Sequence, residues 1–374
     1  MSGAQKNPLA EALAGRRVAL GHDWLTGMRG GERVLELFCQ ALPDSPLVTL
    51  LADTSTVSDP IRSREIVTSF MQRIPGVARS YRKMLPIMGL AAATTRVPDC
   101  DVFLTTNSCV AHAFVPPPSA RMICYCFTPM RYAWLFPREY LGPAKAAIAA
   151  PYLAYLRRWD RLHTRRVDSF IAISDHVRRR ISDFYGRESQ VVYPPVDTGR
   201  CTPAPGGAAG KYDLVVSALV PYKRIDLAVR AYSKSGFPLR IAGVGSSSSA
   251  LREMAAPNVE FMGWRSDDEI LELYRNCRFL IFPGEEDYGI VPLEAMACGK
   301  PVVAFGRGGA TETVVGGTTG VFFDEQSEDA LAGAVARAEA ARWDPAACRA
   351  RAEEFSVPRF LESMAAAVSG ALAR

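Results

Sequence analysis

Short apolar runs of strand type recur along this 374-residue chain, each closed by a glycine or polar turn, with helical patterns between them. The first, Val18 to Leu20, ends at Gly21-His22-Asp23 and a glycine-rich loop from Gly27 to Gly31. From Glu32 the pattern turns helical, with Val34, Leu35, Leu37 and Phe38 on one side. Further runs lie at Val102 to Thr106, Met122 to Cys126, Ser169 to Ile173 and Gln190 to Tyr193. A second series lies at Leu214 to Ser217, Leu239 to Ala242, Val259 to Met262, Phe279 to Phe282, Pro301 to Ala304 and Val321 to Phe323. Short strands alternating with helices predict parallel sheets covered on both faces. The expected fold class is α/β with two Rossmann-like domains, and the expected active site is the cleft between them, at the carboxyl ends of the strands.

Asp197 to Gly210 separates the two series. It holds Pro203, Pro205, Gly206, Gly207 and Gly210 and reads as a linker. The predicted division is an N-terminal domain over 1–196, a linker over 197–211, a C-terminal domain over 212–354 and a closing helix over 355–374 that returns to the first domain.

Composition narrows the class. Hydrophobic residues make up 48% and charged residues 22%, ordinary for a folded enzyme. No uncharged apolar stretch reaches about 18 residues, and Met1 to Ala14 lacks a signal-peptide core, so the expected location is the cytoplasm or the inner face of its membrane. The nine cysteines include no Cys-x-x-Cys pair. Cys124 and Cys126 would share one strand face, and reduced buried thiols are expected rather than zinc or disulfides. Residues 1–200 carry 26 Lys and Arg against 17 Asp and Glu, whereas residues 201–374 carry 18 against 22. A basic first half suits an anionic membrane surface, a nucleic acid or a phosphorylated substrate.

The most informative stretch runs from Phe282 through Pro283-Gly284-Glu285-Glu286-Asp287-Tyr288-Gly289-Ile290-Val291-Pro292-Leu293-Glu294 to Ala295-Met296-Ala297-Cys298-Gly299 and the next strand. It reads as strand end, acidic glycine loop, helix, glycine stop and strand. Free amides at the helix start favour a diphosphate, and two carboxylates can accept hydroxyl hydrogen bonds. By itself the spacing also suits a helix with an acidic first turn.

This stretch resembles the signature of family 4 retaining glycosyltransferases, which have the GT-B fold. The resemblance implies that Glu286 and the backbone of Tyr288, Gly289 and Ile290 hold the donor sugar, while Glu294 binds the ribose. It also makes the C-terminal domain the nucleotide-sugar donor domain and the N-terminal one the acceptor domain. Val216-Ser217-Ala218-Leu219-Val220-Pro221-Tyr222-Lys223-Arg224 follows a strand and opens a helix. Relatives often carry Gly-Arg where Ser217-Ala218 stand, so Lys223 and Arg224 are expected to neutralise the leaving diphosphate. Ile241-Ala242-Gly243-Val244-Gly245 resembles the glycine turn near the nucleotide, although tight turns alone also use Gly-x-Gly. Phe261-Met262-Gly263-Trp264-Arg265 resembles the base-reading segment, with half-buried packing the alternative for Trp264.

The segment Gly21 to Val34 lacks the tight Gly-x-Gly-x-x-Gly of a nicotinamide site. It resembles the first loop of a subgroup that builds O-antigen and exopolysaccharide repeats, including GDP-mannose users. There Gly30 and Gly31 would approach the diphosphate, with His22, Asp23 and Arg131 on the acceptor side. Cys124-Tyr125-Cys126-Phe127-Thr128-Pro129-Met130-Arg131 echoes the same subgroup, but Phe127 stands where relatives carry a His near the sugar 6-position. A 6-deoxy or otherwise altered donor sugar, or loss of that contact, would account for it.

Asp99-Cys100-Asp101 spells Asp-x-Asp at a strand entrance and is read as a turn. The four histidines lie too far apart for a metal cluster, so neither metal nor cofactor is expected, the nucleotide sugar being a substrate. Arg73, Arg79, Arg82 and Lys83 mix with apolar residues. Arg157, Arg158, Arg161, Arg165 and Arg166 fall near Tyr152, Tyr155 and Trp159. Such segments suit either a solvated helix surface or an anionic leaflet. The expected reaction is transfer of a hexose, GDP-mannose being the leading donor, to a glycan or polyprenyl-diphosphate-linked acceptor in cell-surface polysaccharide synthesis. No nucleic acid partner is expected. A nucleotide-sugar epimerase on the same fold and a noncatalytic nucleotide- or polyanion-binding protein are the competing readings.

Overall fold

A computed structural model of the chain describes residues 7–135, 142–205 and 210–374. Two units emerge. One comprises Met1–Tyr193 with Phe360–Arg374, the other Pro194–Arg359.

In the first unit, β1 (Val18–His22), β2 (Leu47–Thr49), β3 (Ile66–Thr68), β4 (Val102–Asn107), β5 (Arg121–Cys126), β6 (Ser169–Ala172) and β7 (Ser189–Val191) form one sheet in the order β3-β2-β1-β4-β5-β6-β7. All its pairings are parallel. Helices cover both faces of a parallel sheet, so its central strands lose their polar alternation: every residue of β1 and β4 is buried. Helix Gly30–Ala41 packs Val34, Leu35 and Phe38 inward. The closing helix Val357–Leu372 brings Phe360 onto Phe38 and Tyr125, with ring centroids 5.8 and 5.9 Å apart.

The second unit repeats the plan. Strands β8 (Asp213–Val216), β9 (Leu239–Ala242), β10 (Val259–Gly263), β11 (Leu280–Phe282), β12 (Val302–Phe305) and β13 (Gly320–Phe323) pair in parallel in the order β10-β9-β8-β11-β12-β13. Counted within the unit this is 3-2-1-4-5-6, the dinucleotide-binding order, whose direction reverses between β8 and β11. Its core gathers Val215, Ile225, Ile241, Ile281, Val303 and Phe323.

The stretch read as a linker is anchored over its described part. Arg349 donates to the carbonyls of Thr198 and Cys201, and Arg275 to Thr202, so residues 194–205 belong to the second unit. Residues 206–209 lie outside the described residues. All nine cysteines are buried free thiols. Among the described residues no helix is long and apolar enough to cross a membrane.

Candidate functional site

In the second unit the loops that follow β8, β9, β10, β11 and β12 gather at the carboxyl edge of the sheet. Two of them flank the reversal of strand order. The loop after β8 makes a single 3-10 turn, Pro221–Lys223, before the helix Ile225–Ser235. Arg224 joins them with φ of 53°, the only non-glycine residue at positive φ among those described. That conformation sends Lys223 and Arg224 to different partners.

Lys223 Nζ forms an ion pair with Glu286 Oε1, their side chains 13% and 19% exposed. Arg224 turns aside, its Nε donating to Asp226 at 3.1 Å and its Nη1 to Gln326 at 3.1 Å. Gln326 in turn donates to the carbonyl of Pro283. Of the two cations, Lys223 therefore sits at the carboxylate, while Arg224 ties the loops after β8, β11 and β13 together.

Glu286 lies on the loop after β11, which the loop after β12 supports from beneath. Gly309 N donates to Glu286 O at 2.8 Å. A Cβ on Gly309 would stand 2.3 Å from Tyr288 Cα, so only glycine lets these backbones meet. Tyr288 is buried and its hydroxyl donates to Pro194 O at 2.9 Å. Gly289, at φ of 85°, then starts the helix Ile290–Ala297. The first-turn amides of a helix have no acceptor within it, and Pro292 in this turn has no amide to satisfy. Glu294 follows one turn later, half-buried, accepting the Tyr274 hydroxyl at 2.7 Å.

The remaining loops close around this group. A Cβ on Gly243 would meet Ser217 O at 1.8 Å, and one on Gly245 would meet Leu219 O at 2.2 Å, so both glycines let the loop after β9 lie on the loop after β8. Trp264, after β10, is 71% exposed and is not a packing residue. Arg265 reaches the carbonyl of Trp264 at 3.1 Å and lies 3.6 Å from Glu269.

In the first unit, Gly30 is exposed and Gly31 half-buried at the start of the helix Gly30–Ala41. The Phe127 ring packs against Gly31, 3.2 Å from where a Cβ would stand, and edge-on to Tyr125. His22 is buried, its Nδ1 2.7 Å from Thr106 Oγ1. Thr106 gives its own hydrogen to Gly21 O, so Nδ1 is the donor in that contact. Nε2 faces Glu32 Oε1 at 3.9 Å. Burial pushes the Glu32 carboxyl up, but nearby His22, a backbone hydrogen bond and Arg29 together outweigh it, and the net shift is downward.

Asp23 needs a different account from an acceptor role. It is buried, and five donors saturate it: Ser108 N, Ser108 Oγ and Cys109 N on Oδ2, Val110 N and Ala111 N on Oδ1. A carboxylate so used holds the loop after β4 and has no lone pair left for a sugar. Arg131 is half-buried at the start of the short helix Arg131–Trp134. At Asp99-Cys100-Asp101, Arg17 binds both carboxylates, and its hydrogen bonds hold Asp101 down to about 2. Among the described residues no group of three metal-binding side chains occurs. Sequence reasoning passed over Glu32, Gln326 and the Gly308-Gly309 loop. Only the glycines carried a signal, following an apolar strand as the other site loops do.

Comparison with known proteins agrees with this architecture. Residues 28–200 match the family model described as Glycosyltransferase Family 4, and residues 209–355 that described as Glycosyl transferases group 1. A glycosyltransferase of Methanocaldococcus jannaschii is 28% identical over 175 residues, 45% of this chain and 48% of that protein. The D-inositol 3-phosphate glycosyltransferase of Acidothermus cellulolyticus is 34% identical over 191 residues, 42% of this chain and 43% of that one. The GDP-mannose-dependent alpha-(1-6)-phosphatidylinositol monomannoside mannosyltransferase of Mycobacterium tuberculosis is 32% identical over 243 residues, 54% and 63% respectively. The chain thus spans about half the length of the first two relatives and 63% of the third. Among solved structures, Anabaena HepE in complex with UDP superposes with a TM-score of 0.70 at 17% identity, over 94% of this chain and all of that one. A lipopolysaccharide outer core galactosyltransferase gives 0.66 at 16%, over 94% and 99%. These likenesses establish the fold, two Rossmann-like domains of the GT-B class, and with both family models matched in register with the two units, the chain belongs to the family 4 glycosyltransferases.

Proposed function

We infer that the protein transfers a hexose from a nucleoside diphosphate sugar to a glycan or lipid-linked acceptor, with retention at the anomeric carbon. The observation that carries this reading is the meeting of Lys223 and Glu286 where the strand order of the second unit reverses, beside the helix that begins at Gly289. A diphosphate laid on the amides of that helix would take Lys223 as its cation. The charge that develops on the leaving phosphate would then be met by a preorganised cation and dipoles. Glu286 would accept a hydrogen bond from a donor-sugar hydroxyl, and Glu294 from a ribose hydroxyl with Tyr274 fixing its orientation. No protein nucleophile is required when the acceptor hydroxyl attacks from the face that the phosphate leaves.

GDP-mannose is the leading donor. The mycobacterial relative named as GDP-mannose-dependent supports it, whereas HepE was solved with UDP and with UDP-glucose. Cell-surface polysaccharide synthesis at the inner face of an anionic membrane, with a polyprenyl-diphosphate-linked acceptor, completes the reading. The deciding experiment is thermal unfolding of the protein with GDP, UDP, dTDP, CDP and their sugar conjugates. A ligand at a hundred times its Kd adds about 2.7 kcal/mol to the folded state. Selective stabilisation by one nucleotide family, lost in Glu294→Gln, is the expected result; no stabilisation of folded protein by any of them removes the donor site.

A further inference from the structure

The helix Ala150–His163 of the first unit divides its charges between two sides. Its one acid, Asp160, is fully buried. There it accepts Trp134 Nε1 at 2.7 Å and Tyr185 OH at 2.9 Å and lies 3.1 Å from His112 Nε2. The outer side carries Ala154, Arg158 and Arg161, followed by Arg165 in the 3-10 turn Thr164–Arg166, with Arg157 beside them. Arg157 and Arg161 are fixed in place. Their Nε atoms donate to the carbonyls of Ala133 and Phe184, both at 2.7 Å, and their guanidinium carbons lie 5.8 and 5.5 Å from the Trp134 ring centre. Arg158 and Arg165 are exposed and form no hydrogen bond or ion pair among the described residues.

These four arginines, with Trp134 and Leu162, line a cavity of about 570 Å³ to which, among the described residues, no carboxylate contributes. Four guanidinium groups with no counter-charge among the described lining residues repel one another, and their planar forks match phosphate oxygens. Large apolar side chains stand exposed on the same stretch: Ile148 at 82%, and Tyr155 and Leu162, two turns apart, at 60% and 53%. A soluble phosphate would use the arginines and leave these three unexplained. An anionic bilayer uses both, taking apolar side chains at the acyl boundary and guanidinium groups at the phosphates. A crossover helix runs antiparallel to the strands it joins, so the arginine-bearing half lies toward the amino ends of the sheet. Gly30, Gly31 and Phe127 follow the carboxyl ends of β1 and β5, so an anion held by these arginines is not the reacting one.

We propose that this cavity binds the phosphate of an anionic phospholipid headgroup and seats the first unit on a bilayer, with Tyr155 and Leu162 inserted beside it. The assignment deepens the membrane contact named above and does not depend on sugar transfer. Of the two basic segments in the first half, it selects Arg157–Arg165 over the one around Arg82, which borders the Tyr81 hydroxyl.

Co-sedimentation with vesicles of phosphatidylcholine, with and without phosphatidylglycerol, tests it at low salt. The full-length protein should bind only the anionic vesicles. Two near-surface arginines contribute together about thirty-fold in partitioning, so Arg158→Gln/Arg165→Gln should bind about thirty-fold more weakly. Tyr155→Ser/Leu162→Ser should also release the protein. The stabilisation by donor nucleotide should be the same in all three proteins, which keeps a failure here distinct from a failure of the donor site. Absence of binding to anionic vesicles, or binding that the arginine variant retains, overturns the proposal. Calorimetric binding of inorganic pyrophosphate that depends on Arg158 and Arg165, without vesicle binding, overturns it in favour of a soluble-anion site.

Discussion

Replacing Glu286 by Gln should move nucleotide binding and sugar transfer in opposite directions. The cation proposed for the diphosphate is paired with the carboxylate proposed for the sugar. An incoming nucleoside diphosphate must separate them. Exposed ion pairs contribute about 0.2–1 kcal/mol, and separating a buried pair costs about 3–5 kcal/mol. With both side chains less than a fifth exposed yet at a loop surface, about 1–2 kcal/mol is the working value for this pair. Glu286→Gln removes that competition and should tighten GDP or UDP about five- to thirty-fold. The same change weakens the acceptor of the sugar hydroxyl and should lower kcat about a hundredfold. Titration calorimetry of the nucleoside diphosphate, beside transfer rates from the full donor, reads both. Unchanged or weaker nucleotide binding in a variant with native Tm would refute the idea that the pair is a competitor.

Three further outcomes are expected. Lys223→Ala should cost about 10²–10³ in kcat, and Arg224→Ala only about tenfold, because Arg224 acts through Asp226 and Gln326; steady-state kinetics showing the reverse order would exchange their roles. Gly309→Ala keeps an allowed φ of −65° but forces a Cβ against Tyr288 Cα, so it should destabilise the second unit by about 1–3 kcal/mol and abolish donor stabilisation, both read by thermal unfolding. Glu32 has a native pKa below its ordinary 4.5, so it binds fewer protons folded than unfolded and stabilises the protein above that value. The stability difference between wild type and Glu32→Gln should hold above about pH 5.5 and shrink as pH falls through the native value. Urea midpoints whose difference stays constant down to about pH 3 would contradict this.

Much of the fold was legible because buried parallel strands must be apolar runs and their loops must carry glycine. The strands β2 and β3 escaped, since three residues each give too short a run to stand out from Ser, Thr and Pro neighbours. The site was legible where one segment holds the chemistry, as from Glu286 to Glu294. It was not legible where the geometry depends on distant partners. Asp23, next to a glycine loop, reads as an acceptor-side residue, but its five donors come from residues 108–111, placed by the pairing of β1 with β4. Lys223 and Arg224 are adjacent and chemically alike. A single left-handed φ separates their roles, and no residue type at position 224 announces it.

The placement of Phe360 has a consequence for how the protein is made. The stretch Met1–Tyr193 leaves the ribosome first, yet Phe38 and Tyr125 wait for an aromatic ring that is synthesised after the whole second unit. Domains generally fold as they emerge, at about 5–20 residues per second. The first unit therefore spends on the order of ten seconds or more with an unsealed hydrophobic seam. Its completion is a check on the length of the nascent chain: a product truncated before residue 360 keeps both family motifs and still exposes a surface that chaperones and proteases can recognise.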